Sequence, residues 1–202
     1  MKISKAWIIL AVFLIWVLAA CVPASQQQDT PTAAPEAAQT KAPVNPPGNT
    51  TDPQNATYLI DAKEVTLENG VAEQEAAPGS ATKIVTRYFG NEVEIDLNSD
   101  GLMDSGFLLT QDSGGSGTFY YVAAAIDNAG DTLGTNAIFL GDRIAPQSTN
   151  VDPNNPVQFI VNYAERKAGD PMSAEPSVAV SRTFKLENGM LVEVGTPPTQ
   201  TP

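Results

Sequence analysis

The stretch Phe119–Ile126, which reads FYYVAAAI, decides the predicted fold. Its residues carry no charge, and its odd and even positions are equally apolar. A short run of this kind, opened by aromatic side chains, is typical of a β-strand covered on both faces. We therefore predict a central strand over Thr118–Ile126, with the aromatic side chains packed in a core rather than lining a ligand pocket.

Short apolar runs separated by turn residues lie on both sides of this strand. The pairs Asn69-Gly70 and Asn188-Gly189 each separate two such runs and predict tight hairpins. This pattern predicts a mostly β fold, a single antiparallel β-sandwich or partly open β-barrel. Only Val71–Ala77 favours a helix. The other predicted strands are Tyr58–Ile60, Val65–Leu67, Lys83–Phe89, Gly106–Thr110, Asn136–Leu140, Val157–Tyr163, Ser177–Leu186 and Met190–Val194.

The composition removes several classes of chemistry. The chain has no histidine, which excludes Ser-His-Asp and Cys-His catalysis and every histidine-ligated metal site. Cys21 is the single cysteine, so no intramolecular disulfide forms. Lys2 and Lys5 are the only charged residues before Cys21, so nine basic and 23 acidic residues follow it, with a net charge of −14. Such a surface attracts cations and repels nucleic acid.

The first 21 residues read MKISKAWIILAVFLIWVLAAC. Two lysines, an apolar run and small residues in this order have the layout of a secretory signal peptide. The apolar run Ala6–Ala20 is shorter than the roughly 20 residues that cross a bilayer. Leu18-Ala19-Ala20-Cys21 then resembles the lipobox of bacterial lipoproteins, in which the cysteine thiol is lipidated and the bond before it is cut. An uncleaved anchor and a plain signal peptide are the alternatives.

The lipoprotein resemblance implies a location. Lipid on Cys21 would hold the exported chain to a membrane. In a cell with two membranes we expect the periplasmic side of the outer membrane, because Val22 is not the aspartate with which such lipoproteins are retained at the inner membrane. In a cell with one membrane we expect the cell surface.

Composition divides the chain into four parts. Residues 1–20 are the predicted signal peptide. Residues 21–56 are rich in Pro, Ala, Gln and Thr and contain almost no large apolar side chain. Such a segment buries too little surface to offset the entropy of ordering, which predicts a disordered tether. Residues 57–194 are the predicted β-rich domain, and residues 195–202 are a disordered tail.

Asp96–Asp104, which reads DLNSDGLMD, is the motif with the most specific spacing. Oxygen-bearing side chains stand at alternate positions of the loop, and its glycine permits the sharp turn of a calcium loop. An EF-hand has Glu at position 12, where this chain has Phe107, so Glu94 and Asp112 are candidates for a further ligand. An ion-free, Asx-rich turn is the alternative. The predicted calcium ligands are the side chains of Asp96, Asn98, Asp100 and Asp104 and the carbonyl of Leu102.

The loop resembles the D-x-[DN]-x-D-G-x-x-D loops of FG-GAP/VCBS-type β repeats, dockerins and thrombospondin type 3 repeats. In those families the loop binds calcium structurally. The resemblance therefore implies one structural calcium ion and no activity. Together with the lipobox and the tether, the loop gives the chain the layout of a bacterial lipoprotein with one small domain.

Two short segments have the spacing of catalytic motifs without the residues that complete them. Asp112-Ser113-Gly114-Gly115 is similar to a serine-protease nucleophile segment, but the chain has no histidine. Ser80-Ala81-Thr82-Lys83 has the S-x-x-K spacing of β-lactamases, but no Lys-Thr-Gly is present. We therefore predict that the protein is not an enzyme.

The expected role is a lipid-anchored binding or structural module whose partner is an envelope protein or a wall glycan, with no nucleic acid. Two alternatives stay open. The first is an adaptor or assembly lipoprotein of an envelope protein complex. The second is an envelope hydrolase that uses paired carboxylates.

Overall fold

The computed structural model describes residues 51–195. The predicted leader, Cys21, most of the tether and the tail from residue 196 lie outside the described residues. Between residues 51 and 195 the chain forms strands and no helix, hence none long and apolar enough to cross a membrane, and the predicted mostly β class is confirmed. The strands are β1 (Thr57–Ile60), β2 (Lys63–Thr66), β3 (Val71–Glu75), β4 (Lys83–Ile95), β5 (Asp104–Asp112), β6 (Phe119–Asn128), β7 (Asp131–Gly134), β8 (Ile138–Asp142), β9 (Ala145–Asp152), β10 (Asn155–Glu165), β11 (Val178–Glu187) and β12 (Met190–Val194).

The strands form three antiparallel sheets. The middle one has six strands in the order β3-β4-β5-β6-β7, with β8 paired to the same strand β6 as β7. The β1–β2 hairpin packs on one face of this sheet, and the four-stranded sheet β12-β11-β10-β9 packs on the other. Short connections between neighbouring strands favour this all-antiparallel topology.

Strand β6 separates two hydrophobic cores. Val122 and Ala124 face the core shared with the four-stranded sheet. Tyr121, Ala123 and Ala125 face the core under the β1–β2 hairpin. All five side chains are buried, so the central strand predicted from FYYVAAAI is confirmed. Its alternation of faces explains why both odd and even positions of the sequence are apolar.

Strand β4 is longer than predicted and is bent. Its pairing with β5 shifts register around Gly90, and Gly90 and Asn91 both have positive φ. A bulge of this kind bends a strand and increases its twist. Strand β4 also contacts β9 of the four-stranded sheet, and the middle sheet is curled into a half-barrel.

The helix predicted for Val71–Ala77 is wrong. Residues Val71–Glu75 form β3, which pairs antiparallel with the start of β4, and its side chains alternate between exposed and half-buried. The Ala, Glu and Gln residues favour a helix intrinsically. The tight turn at Asn69-Gly70 and the ladder to β4 override that preference.

Residues 51–56 pack against the sheet although their composition resembles the tether. Ala56 is buried, and the Tyr58 hydroxyl donates a hydrogen bond of 2.8 Å to the Pro53 carbonyl. The packed part of the chain therefore extends upstream of the predicted boundary at residue 57.

Candidate functional site: the Asp96–Asp104 loop

The predicted calcium loop joins β4 to β5 at one end of the middle sheet. Ile95 and Leu97 are buried in the core next to the four-stranded sheet and anchor the start of the loop. Ser99 and Gly101 have positive φ, with values of 62° and 88°, which turn the chain back toward β5. Glycine adopts this conformation without strain, as the spacing argument requires.

The exposed side chains of the loop are bonded to its own backbone. The Asp96 carboxylate accepts the N–H groups of Asp100 at 3.2 Å and Gly101 at 3.0 Å. The Asn98 amide oxygen also accepts the Asp100 N–H, at 3.0 Å. The Asp100 carboxylate accepts the Leu102 N–H at 2.8 Å and the Asn98 side-chain amide at 2.8 Å. The loop is therefore already curled around its first carboxylate.

Asp104 differs from the other loop acids because it is fully buried. One carboxylate oxygen accepts the Leu97 N–H at 2.8 Å, and the other accepts the Asp127 N–H at 2.9 Å. Burial raises the pKa of Asp104, these two hydrogen bonds lower it, and the nearby charges of Asp100 and Asp96 add to the rise, which brings the pKa to about 6. The carboxylate thus joins the loop to β6 and lies in the negative field of its neighbours.

The donor set fits calcium in its chemistry, because it consists of oxygen atoms alone and a hard cation prefers these. A carboxylate oxygen that accepts one N–H keeps a further lone pair for a cation. In the part of the chain from 51 to 195, however, no three acidic side chains converge closely enough to hold a metal ion. A bound ion would therefore require Asp96, Asp100 and Asp104 to turn toward a common point.

Neither further ligand suggested by the sequence lies at the loop. Asp112 is at the opposite end of β5 from Asp104, roughly 27 Å away at the rise of an extended strand. Glu94 is paired across the ladder with Ser105, so its side chain lies on the opposite face of the sheet from Asp104. Both side chains are excluded as a further ligand in this arrangement.

Asp127 is the acid that sequence reasoning missed. It is 5% exposed, and it lines a cavity of about 250 Å³ together with Asn98 and Asp100 of the loop. One of its carboxylate oxygens accepts the Gly130 N–H at 3.2 Å. In the sequence, Asp127-Asn128-Ala129-Gly130 is an ordinary hairpin turn, so only the pairing of β5 with β6 shows that Asp127 lies beside the loop.

The residues of the segments with catalytic spacing bond within turns and across a strand ladder. Lys83 bonds the Glu73 carboxylate at 2.7 Å across the β3–β4 ladder. The Ser80 hydroxyl accepts a hydrogen bond from the Thr82 N–H in the turn before β4. Asp112 accepts the N–H of Gly114 in the turn between β5 and β6. The bonds that Ser80 and Asp112 accept are those of hairpin turns.

The fold and the loop define a three-layered, all-β domain with an oxygen-rich turn at one end. Comparison with known proteins found no family model, no curated protein and no solved structure that matches the chain.

Proposed function

We propose that this protein is a lipid-anchored envelope lipoprotein whose β domain is a non-catalytic binding or structural module, stabilised by one calcium ion. The observation that carries the calcium proposal is the curled Asp96–Asp104 loop, in which Asp96 binds the amides of Asp100 and Gly101. The side chains of Asp96, Asn98, Asp100 and Asp104 and the carbonyl of Leu102 are the proposed ligands.

Calcium in this loop has a structural effect rather than a chemical one. Burial first, and then the charges of Asp100 and Asp96, raise the pKa of Asp104. The ion would offset the mutual repulsion of these three acids. Because Asp104 also accepts the Asp127 N–H, the ion would tie the end of β4 to both β5 and β6. An ion that binds only the folded chain stabilises it by about 2.7 kcal/mol at a concentration of 100 times its Kd.

Calorimetric titration of the full chain in non-ionic detergent tests the calcium proposal. We expect one saturable site with a Kd of about 1 mM or tighter, the range of extracellular calcium modules. The variant Asp96→Asn/Asp100→Asn keeps hydrogen-bond acceptors in the loop but loses two charges, and should lose the binding heat. Asp170→Asn/Glu175→Gln removes the same charge from the exposed β10–β11 connection and should bind as the wild type does. Equal heats in all three proteins would contradict the proposal.

The anchor proposal rests on Leu18-Ala19-Ala20-Cys21 and on the position of the single cysteine. Metabolic labelling with an alkyne-tagged fatty acid, in a host that processes lipoproteins, should label the wild type. Cys21→Ser should not be labelled, and neither should Cys21→Ser/Ser25→Cys, in which the thiol is moved four residues along the chain. An unlabelled wild type, or label on either variant, would refute lipidation of Cys21.

The binding role follows from charge and composition. A chain without histidine and with a net charge of −14 after Cys21 is suited to cationic rather than nucleic-acid partners. An envelope protein or a wall glycan is the proposed partner, at the periplasmic side of an outer membrane or at the surface of a cell with one membrane.

A further inference from the structure

Strands β2 and β3 are consecutive, but they form almost no ladder with one another. Glu68 and Val71 exchange both backbone hydrogen bonds, at 3.0 and 3.2 Å, around the tight turn at Asn69-Gly70. Over the described residues this bridge is the only pairing between them. The strands then diverge, one into the covering hairpin and one into the middle sheet, and enclose a groove of about 440 Å³.

The backbone groups of β2 that the β1–β2 ladder does not use face this groove. The backbone of Leu59 in β1 forms its hydrogen bonds on the side away from β2: its N–H donates to the Thr135 carbonyl, and its carbonyl accepts the Ala137 N–H. Its partner across the β1–β2 ladder is Glu64. Because Leu59 directs its backbone groups away from β2, the two residues form a non-hydrogen-bonded pair. In such a pair the N–H and C=O groups of both residues point away from the ladder. Glu64 and, two residues further, Thr66 therefore direct their N–H and C=O groups toward β3.

The backbone of β3 faces the groove from the other side. The Ala76 N–H donates to the Thr82 carbonyl, which places the even-numbered residues of this hairpin in the bonded pairs with β4. The backbone N–H and C=O groups of Glu73 and Glu75 consequently point away from β4. Within residues 51–195 their backbone groups have no backbone partner, so β3 is an open edge of the six-stranded sheet.

A side chain takes the place of a neighbouring strand in the groove. The Gln74 amide donates a hydrogen bond of 2.9 Å to the Glu64 carbonyl. The gap between the strands is therefore spanned by a side chain where an ordinary hairpin has a direct backbone bond. Open edges of this type accept an additional extended chain, in the binding mode known as β-augmentation.

The charges on the groove select its occupant. Glu64, Glu68 and Glu73 line it. Glu73 already pairs with Lys83, so Glu64 and Glu68 supply the negative charge that is left for a partner. A second copy of the chain would bring the same acids against them, which disfavours self-association at this edge. The nearest upstream segment, residues 43–50, has three prolines, which lack the N–H that a ladder needs, and no basic residue.

We propose that this groove binds an extended segment of a partner protein that carries Lys or Arg at alternate positions and adds to the β3 edge as a further strand. Alternate side chains of an extended chain point the same way, so basic residues at every second position would face the glutamates. The inference rests on the proposed binding role, and it is independent of the calcium site.

The test uses the full chain in non-ionic detergent, with a chelator present, and a capped nine-residue peptide of alternating lysine and valine that carries a fluorescent label. We expect saturable binding by anisotropy. Peptides with glutamate for lysine, or with proline for alternate valines, should bind at least about tenfold more weakly. On binding, the amides of Thr66, Glu73 and Glu75 should exchange more slowly with solvent.

Matched charge reversals localise the site. Glu64→Lys/Glu68→Lys should weaken binding by at least about tenfold, and Asp170→Lys/Glu175→Lys, which makes the same change of charge on an exposed connection, should not. Equal binding of the proline peptide, or an equal effect of Asp170→Lys/Glu175→Lys, would reduce the interaction to general charge attraction and overturn the proposal. Competition by a free peptide of residues 22–50 would assign the groove to this chain itself. Because the chelator removes calcium from this assay, a failure of peptide binding does not affect the result of the calcium titration.

Discussion

Arg182 is a cation held inside the molecule, 7% exposed, between the middle sheet and the four-stranded sheet. Its guanidinium makes two hydrogen bonds to the Glu193 carboxylate, at 2.9 and 2.6 Å, and one of 2.8 Å to the Phe139 carbonyl. The group also lies over the Phe184 ring, 5.4 Å from its centre. A single residue thus joins β11, β12 and β8.

We expect Glu193→Ala to lower the free energy of unfolding by about 3–5 kcal/mol, because it leaves the Arg182 charge buried without a counterion. Glu187→Ala, which breaks the exposed pair with Lys185, should cost less than about 1 kcal/mol. Urea denaturation of the two variants measures this difference. An equal loss of stability in both variants would show that the Arg182–Glu193 pair is no more important than an exposed pair.

At the scale of elements, close contact between layers depends on glycine. A Cβ on Gly134 of β7 would lie 2.2 Å from the Thr57 carbonyl oxygen and 2.7 Å from the Tyr58 ring. The β1–β2 hairpin therefore packs directly on the backbone of the middle sheet at this point. No side chain fits here without moving the hairpin.

Gly134→Ala should cost about 1–3 kcal/mol of stability, because the added methyl group displaces the hairpin from the sheet. The Leu59 N–H, which donates to the Thr135 carbonyl, should then exchange faster with solvent. Gly115→Ala is the matched control, since nothing lies within 4 Å of its Cβ position. Thermal melting with amide exchange checks the prediction, and equal behaviour of both variants would refute it.

Strands were predictable from the sequence where their buried positions carry apolar residues. Strand β6 is apolar from Phe119 to Ile126 because it faces two cores, and the sequence indicates this directly. Strand β9 was not predicted, because APQSTNVD is mostly polar and only Thr149 of it is buried. The Asp96–Asp104 spacing is local and therefore visible in the sequence. Asp127 joins it only through the β5–β6 ladder, which no local pattern encodes.

At the scale of the whole molecule, the Asp96–Asp104 loop and the β2–β3 groove are separate features of the folded part of the chain. The loop lies beside the core shared with the four-stranded sheet, and β2 covers the other core. A calcium ion in the loop should therefore stabilise its own surroundings first. The groove should respond much less, because its strands make no contact with the loop ligands through hydrogen bonds within residues 51–195.

Amide hydrogen exchange of the full chain, with and without calcium, is the decisive test of the calcium site. We expect slower exchange with calcium at five residues whose N–H groups bond to the loop carboxylates: Leu97, Asp100, Gly101, Leu102 and Asp127. Residues 64–75 should be nearly unchanged. No slowing at the loop in millimolar calcium, or uniform slowing over the whole domain, would contradict a calcium ion bound by the Asp96–Asp104 loop.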